Sequence, residues 1–321
     1  MKTYQLSHRT EYTYDRPVRN SLGTYHLRPR QLPWQRVASH EVSVAPLPGD
    51  LGVDTDYFGN SATYFHVTEP HSHLVIEAAS EVSVFTPAYD PDALAQAWER
   101  ARPLEDGGGG DAWAATEFAL ESPRVAHIRE AAEYGAVSLT PGRPIGEAVT
   151  DLMHRIHADF DYDTKATTVT STVADAMRKR AGVCQDFAHV ALACLRSHGV
   201  AARYVSGYLA TQPPPGKERI VGADASHAWL AVWVPAGPTR REAPRSASAM
   251  RGQDEGAGQW LHIDPTNDQW ANDRYITVAW GRDYADVAPV RGIIWSKAKK
   301  STLRVAVDVA PVPEAGVPVG V

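Results

Sequence analysis

Three side chains in this sequence are of the types that a covalent reaction on an amide bond requires. They are Cys184 in the segment GVCQDF, His227 in SHAW and Asp264 in HIDPTN. A thiolate attacks a carbonyl carbon, an imidazole carries the proton to the leaving amine, and a carboxylate holds that imidazole in the required tautomer. Distance along the chain decides little, because the members of a triad meet in space. Whether these three can meet depends on the elements that carry them.

Cys184 is predicted to begin a helix that runs to about residue 198. Gly182 indicates a turn just before it, and Phe187 and Ala191 follow at helical spacing, on the stripe that faces the core. The first amides of a helix lack intrahelical acceptors and the helix dipole is positive there, so a thiolate at this point is stabilised. The same amides can hold the oxyanion of a tetrahedral intermediate. We therefore expect a reactive thiol that points into the domain.

His227 and Asp264 are predicted to belong to neighbouring antiparallel strands, at 225–234 and 259–263, which the segment 235–258 connects. By the two-residue period of a strand, His227 shares a face with Trp229, and Asp264 shares a face with His262. In such a hairpin the start of the first strand lies opposite the end of the second. A register that puts both residues on one face brings the carboxylate beside the imidazole, which then faces the thiol.

The composition excludes several other classes of protein. The chain has 321 residues, of which 43% are apolar and 22% charged, with a net charge of −6 and a pI near 6.1. That length favours two domains, and the acidic balance indicates neither a nucleic-acid partner nor an anionic membrane. Two cysteines are too few for a secreted disulfide framework. We see no signal peptide and no apolar run of the ~18 residues that a membrane span needs, so we expect a cytoplasmic protein.

The sequence pattern changes along the chain and predicts an α+β protein. Residues 1–88 alternate in short segments between turn residues, which is typical of a small β-sandwich or barrel. Residues 89–122, with a run of four glycines, are predicted to be a linker or helical connection. Helices are predicted at 144–157 and 171–180, and a strand at 201–209, within a core that we assign to residues 123–300. Residues 301–321 are predicted to form a C-terminal strand, centred on 304–309, and a tail.

Several of these segments resemble one enzyme family. The runs RAGVCQDFAHVALACLRSHGVAARYVSGY, SHAWLAVWV and WLHIDPTN are similar to the core of the transglutaminase-like cysteine enzymes of bacteria. The stretch AWGRDYADVAPVRG and the β-rich beginning resemble the same branch, which carries a small N-terminal β domain. The segment 235–258 departs from the resemblance, because it is longer than the usual connection between the His and Asp strands. It is rich in Ala, Ser, Arg and Gly and is predicted to be partly disordered, and a second loop, 211–224, contains three consecutive prolines.

The resemblance implies a papain-like core in which the helix carrying the cysteine packs on an antiparallel sheet carrying the histidine and the aspartate. It implies that Cys184 is the nucleophile, His227 the acid and base, and Asp264 the orienting group, with no metal and no organic cofactor. The implied substrate is a peptide, a protein or a small amide, and the reaction passes through a thioester. Water as the acceptor gives a peptidase or amidase, and an amine gives a transamidase. We expect hydrolysis, since no second acceptor-binding module is evident in the sequence.

Other interpretations of these residues exist. Cys184 is alternatively an inert buried thiol, as we expect for Cys194, and His227 a packing residue. A non-catalytic binding module that keeps the fold is a second class of function, and a zinc-dependent hydrolase is a third, although no CxxC or HExxH spacing occurs. The residues that these alternatives or an oxyanion site would involve are Tyr162, Gln185, Asp186, Asp268, Asp283, His71, His73 and His262.

Overall fold

The computed structural model describes residues 1–104, 112–168, 170–211, 226–237 and 258–313. The predicted loops 211–224 and 235–258 lie almost wholly outside the described residues, as do the glycine run and the end of the C-terminal tail. Within the described ranges, no helix is long and apolar enough to cross a membrane.

The N-terminal part of the chain forms an antiparallel sheet in the order β2-β5-β1-β4-β3. Its strands are β1 (Lys2–Tyr25), β2 (Gln35–Ala45), β3 (Asp50–Thr55), β4 (Ser61–Val67) and β5 (His71–Val84). Alternate residues of β1 are buried, among them Tyr4, Leu6 and Tyr14. This period-2 pattern gives the sheet one apolar face. The strands belong to one curled sheet with its own core cluster, whereas the sequence predicted a sandwich or a barrel.

Helices dominate the next part of the chain. They are α1 (Pro91–Leu94), α2 (Trp113–Thr116), α3 (Arg129–Ala136), α4 (Ile145–Asp159), α5 (Val173–Lys179) and α6 (Cys184–Arg196), with 3₁₀ turns at Trp98–Ala101 and Glu117–Ala119 and short strands β6 (Asp161–Tyr162) and β7 (Ala181–Gly182). The helices predicted at 144–157, 171–180 and 184–198 are confirmed to within a few residues. The region predicted as a linker packs on the core, because Trp98 and Phe118 are buried there.

The core sheet is antiparallel, in the order β11-β10-β9-β8-β12. Its strands are β8 (Ala202–Leu209), β9 (Ser226–Pro235), β10 (Gly258–Asp264), β11 (Gln269–Trp270) and β12 (Tyr275–Gly281). Helix α6 packs against β8 and β9 and is buried along almost its whole length. The predicted α+β core, a cysteine-bearing helix on a sheet that bears the histidine and the aspartate, is confirmed.

The chain then returns to the N-terminal sheet. Strands β13 (Val290–Ser296) and β14 (Ser301–Pro311) both pair with β1, with Leu22 opposite Ile293 and Leu6 opposite Val309. The core domain was predicted to extend to residue 300. The strand pairing differs from that boundary, because Val290–Ser296 pairs with the N-terminal sheet and not with the core sheet. Strands β13 and β14 thus pair with β1 in addition to β4 and β5, and Val307 and Val309 of β14 are buried.

Two side-chain amides join the N-terminal sheet to β12, which is an edge strand of the core sheet. Gln35 donates from Nε2 to the carbonyl of Thr277 and accepts its N–H on Oε1, both at 2.7 Å. Asn60 likewise donates to the carbonyl of Trp280 at 2.8 Å and accepts its N–H at 2.9 Å. The two amides therefore give the main chain of this edge strand hydrogen-bond partners that a further strand would otherwise have to provide.

Candidate active site

Cys184 is the first residue of α6, and a carboxylate fixes the turn that leads into it. Asp186 accepts the N–H of Val183 at 2.9 Å and the hydroxyl of Thr167 at 2.6 Å, and its side chain is buried. A Cβ added at Gly182 would lie 2.6 Å from Oδ2 of Asp186, so only glycine fits at that position. Asp186 therefore caps the helix and does not compete with Asp264 for the imidazole.

The start of α6 also presents amide groups to the thiol. The N–H groups of Asp186 and Phe187 bond to the carbonyl of Val183, at 2.8 and 3.1 Å. The N–H groups of Cys184 and Gln185 are the first two of the helix, and helical geometry gives them no acceptor within it. Together with the positive end of the helix dipole, they can hold an anionic oxygen beside the cysteine.

The strand register places His227 and Asp264 on one face of the core sheet. Because Ile263 pairs with Leu230, the next residue of β10 comes beside Trp229, two residues from His227 on the same face. Nε2 of His227 donates to Oδ2 of Asp264 at 2.7 Å. The prediction from the two-residue period is therefore confirmed in its geometry: the two side chains are direct partners.

The imidazole of His227 lies between the carboxylate and the thiol. Since Nε2 is occupied by Asp264, Nδ1 is the nitrogen left for Cys184, whose side chain acts on the pKa of the ring. Burial alone would lower the pKa of His227. The hydrogen bonds of the ring with Asp264 and Cys184, and the charges of both groups, outweigh burial and raise that pKa to about 10. An imidazolium is thus the favoured state at neutral pH, held between two acidic groups.

Asp264 is fully buried and has more donors than sequence reasoning found. Its Oδ2 accepts from His227, from the hydroxyl of Tyr275 and from the amide of Asn267, each at 2.7 Å. Its Oδ1 accepts the N–H of Thr266 at 2.9 Å. Burial would raise the pKa of Asp264, but the hydrogen bonds and the charge of His227 lower it. The carboxylate therefore stays ionised although it is out of contact with water.

Asn267 and Tyr275 are the two residues that sequence reasoning missed at this site. Asn267 lies inside the segment HIDPTN, so its nearness to Asp264 was within reach of the motif. Tyr275 carries no such signal, because it begins a strand that is buried on both faces and shows no alternation.

Aromatic rings close the site on the side of the core. The ring of His227 stacks on Trp229, with centroids 6.1 Å apart and an interplanar angle of 27°. The indole of Trp229 donates to Nδ1 of His262 at 3.1 Å, and both residues are buried. Burial, with the charge of Arg203, holds the pKa of His262 well below its ordinary value. His262 is therefore a neutral packing partner and lies outside the set of three.

The remaining candidates have other partners. Asp268 is paired with His154, and Asp283 accepts the N–H groups of Arg124 and Ala285, each at 2.8 Å. In the N-terminal sheet, Nε2 of His71 bonds to Ser21 at 2.8 Å, and His73 lies 3.4 Å from Thr13. Across the described ranges, no group of three or more Cys, His, Asp and Glu residues is arranged to hold a metal ion.

The second cysteine and the exposed tyrosine differ sharply in their surroundings. Cys194 is fully buried within α6, and burial raises its pKa to about 12.

Tyr162, one of the two candidates for the oxyanion site, is 59% exposed. Burial of part of its ring and the charge of Cys184 raise the pKa of Tyr162. Gln185, the other oxyanion candidate, is buried directly after Cys184.

Comparisons with known proteins give the family that both parts of the chain resemble. Residues 4–83 match the bacterial transglutaminase-like N-terminal region, and residues 135–265 match the transglutaminase-like superfamily. An uncharacterized protein of Mycobacterium tuberculosis is 45% identical over 96% of this chain and 92% of its own length. An uncharacterized protein of Mycobacterium leprae is 30% identical over 95% of this chain and 97% of its own length.

A solved structure shows the same fold. The crystal structure of a candidate cysteine protease from Cytophaga hutchinsonii is similar with a TM-score of 0.70 at 16% identity, covering 99% of this chain and 94% of that protein. The resemblance read from the three sequence motifs is therefore confirmed. With both of its regions matched, the chain belongs to the bacterial branch of the transglutaminase-like superfamily, a superfamily of cysteine-dependent enzymes.

Proposed function

We propose that this protein acts on amide bonds through a catalytic triad of Cys184, His227 and Asp264. The observation that supports this most strongly is that His227 donates to a buried carboxylate at 2.7 Å, while the thiol whose charge raises its pKa is the first residue of a helix. An inert packing histidine has no need of two acidic partners, whereas a thiolate–imidazolium pair requires both.

The proposed reaction begins with the thiolate of Cys184, which attacks the carbonyl carbon of the amide. The oxygen becomes an oxyanion, and the amides of Cys184 and Gln185 are placed to stabilise it. The imidazolium of His227 donates its Nδ1 proton to the amide nitrogen, the C–N bond breaks, and the amine leaves. The acyl group remains on sulfur as a thioester. His227 then takes a proton from the acceptor, whose attack on the thioester releases the acyl group and the thiolate.

The acceptor decides whether the reaction is hydrolysis or transamidation. We propose water as the acceptor and a peptide, a protein or a small amide as the substrate, so that the protein is a peptidase or amidase. Transamidation is the alternative outcome, and it uses the same triad with an amine in place of water.

The experiment that tests the function traps the thioester. The protein is incubated with a mixed pool of peptides and amides, quenched in acid and digested, and the peptide that contains Cys184 is examined by mass spectrometry. We expect an acyl adduct on Cys184 in the wild type and in Cys194→Ala, and none in Cys184→Ala. Repeating the experiment with a primary amine present measures how the acyl group divides between water and the amine.

Two results would contradict the proposal. Equal, slow alkylation of Cys184 and Cys194, with no adduct in any pool, would favour the non-catalytic binding module. Stoichiometric zinc in the pure protein, with activity lost on its removal, would favour the zinc-dependent hydrolase. We predict that activity survives exhaustive chelation, since a helix end and an imidazole already activate the thiol. Assays before and after treatment with a strong chelator check this.

A further inference from the structure

The hydroxyl of Tyr275 is one of three side-chain donors to Oδ2 of Asp264, the carboxylate that orients His227. It donates to Oδ2 of Asp264 at 2.7 Å and accepts from Nε2 of Gln269 at 2.8 Å. Tyr275 is 2% exposed and begins β12. Hydrogen bonds to a buried charged group are among the stronger ones in proteins, so this contact bears directly on the state of Asp264.

The surrounding residues dictate the direction in which this hydroxyl points. Arg274 donates from Nη2 to Oε1 of Gln269 at 2.9 Å. Because Oε1 is engaged in this way, the amide of Gln269 turns its donor nitrogen towards Tyr275. That nitrogen cannot accept a proton, so the tyrosine hydroxyl has to donate to Asp264. The result is a directed series of hydrogen bonds from the cation Arg274 through Gln269 and Tyr275 to the anion Asp264.

Residues of the N-terminal sheet bond to the chain on both sides of Tyr275. Two residues before it, Asp273 forms a salt bridge with Lys2 at 2.9 Å, and its carbonyl accepts the hydroxyl of Tyr4 at 3.1 Å. Two residues after it, Thr277 exchanges two hydrogen bonds with the side chain of Gln35, each at 2.7 Å. The position of the tyrosine along the sheet edge is therefore fixed by residues outside the core domain.

We propose that Tyr275 is a positioning residue that keeps Asp264 ionised and directed at His227, and that the N-terminal sheet holds Tyr275 in place. This gives the N-terminal sheet a part in catalysis although it lies outside the triad. The inference rests on the proposed function, because it assumes that His227 and Cys184 act as a pair.

The test uses the full chain and compares Tyr275→Phe with Tyr208→Phe. Tyr208 is the matched control, because it is also a buried tyrosine of the core sheet, and its hydroxyl bonds to Nδ1 of His8 at 2.8 Å. The readout is the rate at which iodoacetamide alkylates Cys184, followed by peptide mass spectrometry from acidic to alkaline pH, so no substrate has to be known.

Tyr275→Phe should weaken the support of the imidazolium, and with it the reactivity of Cys184 at acidic pH. We expect the acidic limb of the profile to move up by ~0.5–1 pH unit, which lowers the alkylation rate there roughly 3- to 10-fold. Tyr208→Phe should keep the wild-type profile. The double variant Lys2→Ala/Tyr4→Phe retains every atom of Tyr275, and we expect a smaller shift in the same direction.

The outcomes separate this inference from the function on which it rests. If His227→Gln leaves the Cys184 profile unchanged, the triad fails and this inference fails with it. If His227→Gln shifts the profile while Tyr275→Phe matches Tyr208→Phe, only the positioning role is overturned. If the double variant matches the wild type, the N-terminal sheet has no part in it. If the melting temperature of Tyr275→Phe lies far below that of Tyr208→Phe, the alkylation profile of the double variant is used instead. A shift in that profile then supports the positioning role, and an unchanged profile overturns it.

Discussion

At the scale of single residues, the site depends on how burial is offset at His227 and Asp264. Neither charge is favoured in a dry interior by itself, yet the imidazolium and the carboxylate stabilise each other and have further partners. This mutual dependence means that a change at one of the two residues should be measurable at the other.

The titration of His227 is the most direct measure of that dependence. In ¹⁵N-labelled wild-type protein, we expect the imidazole to remain protonated through neutral pH and to titrate near the value of about 10 that its partners produce. In Asp264→Asn the midpoint should fall by several pH units, because burial is then opposed by Cys184 alone. Asp268→Asn is the control, since Asp268 pairs with His154. An unchanged midpoint in Asp264→Asn would contradict the pairing.

The same shifts predict how the stability of the fold varies with pH. The folded pKa of His227 is raised, so its contribution is complete below about pH 6.5 and is lost as the pH rises towards 10. The folded pKa of Asp264 is lowered, so its contribution is complete above about pH 4 and is lost as the pH falls further. Thermal melts should therefore show the largest advantage of wild type over Asp264→Asn between about pH 4 and 6.5. A constant difference at every pH would contradict this.

Asp264→Asn should also slow the reaction. The amide can donate where the carboxylate only accepts, which favours the wrong tautomer of His227. The corresponding change in a serine triad costs ~10⁴-fold, and a thiol ionises more easily than a hydroxyl, so we expect a loss of ~10–10³-fold here. The assay is the turnover of any substrate found by acyl-enzyme trapping. Wild-type turnover in Asp264→Asn would reduce the triad to a Cys–His dyad.

At the scale of elements, the start of α6 depends on Gly182, because only a residue without a side chain leaves room for Asp186. In Gly182→Ala the new Cβ would lie 2.7 Å from the Cβ of Asp186, which the cap cannot accommodate without backbone movement. We expect a loss of ~1–3 kcal/mol in stability, and a larger relative loss of activity because Cys184 shifts with the helix start. Gly52→Ala is the control, since nothing lies within 4 Å of a Cβ there. Urea unfolding and Cys184 alkylation measure both effects.

The elements also show how far the sequence predicts the site. Local patterns placed Cys184 at a helix start, and the two-residue period gave the residues that share a face with His227 in β9 and with Asp264 in β10, because these features follow from short-range geometry. The register that brings His227 and Asp264 onto one face was a condition of the prediction, because it depends on how the two strands pair. Tyr275 was beyond reach, since β12 is buried throughout and its distance from Asp264 is set by a turn without periodicity. The pairing of β14 with β1 was also beyond reach, because no local signal names a partner at the other end of the chain.

At the scale of the whole molecule, the N-terminal sheet stabilises the edge of the core sheet as well as its own fold. Gln35→Leu would leave the N–H of Thr277 buried without its acceptor, while the carbonyl of Thr277 would keep the N–H of Arg30 at 3.1 Å. We expect a loss of ~1–3 kcal/mol for the N–H that is left unsatisfied. Gln31→Leu is the control, because its amide bonds to the main chain of Val37 at an exposed position. A loss in Gln35→Leu no larger than that in Gln31→Leu would show that the contact is dispensable.

The pairing of β1 with β14 has a consequence for the protein as it is synthesised. Leu6 and Val309 are opposite one another in the finished sheet. At the usual rate of ~5–20 residues per second, roughly 15–60 s pass between the emergence of these two strands from the ribosome. The core, with Cys184, His227 and Asp264, is translated within that interval. Strand β14 follows later, so until then β1 lacks it as a pairing partner. The nascent chain therefore holds all three of these side chains before the N-terminal sheet is complete.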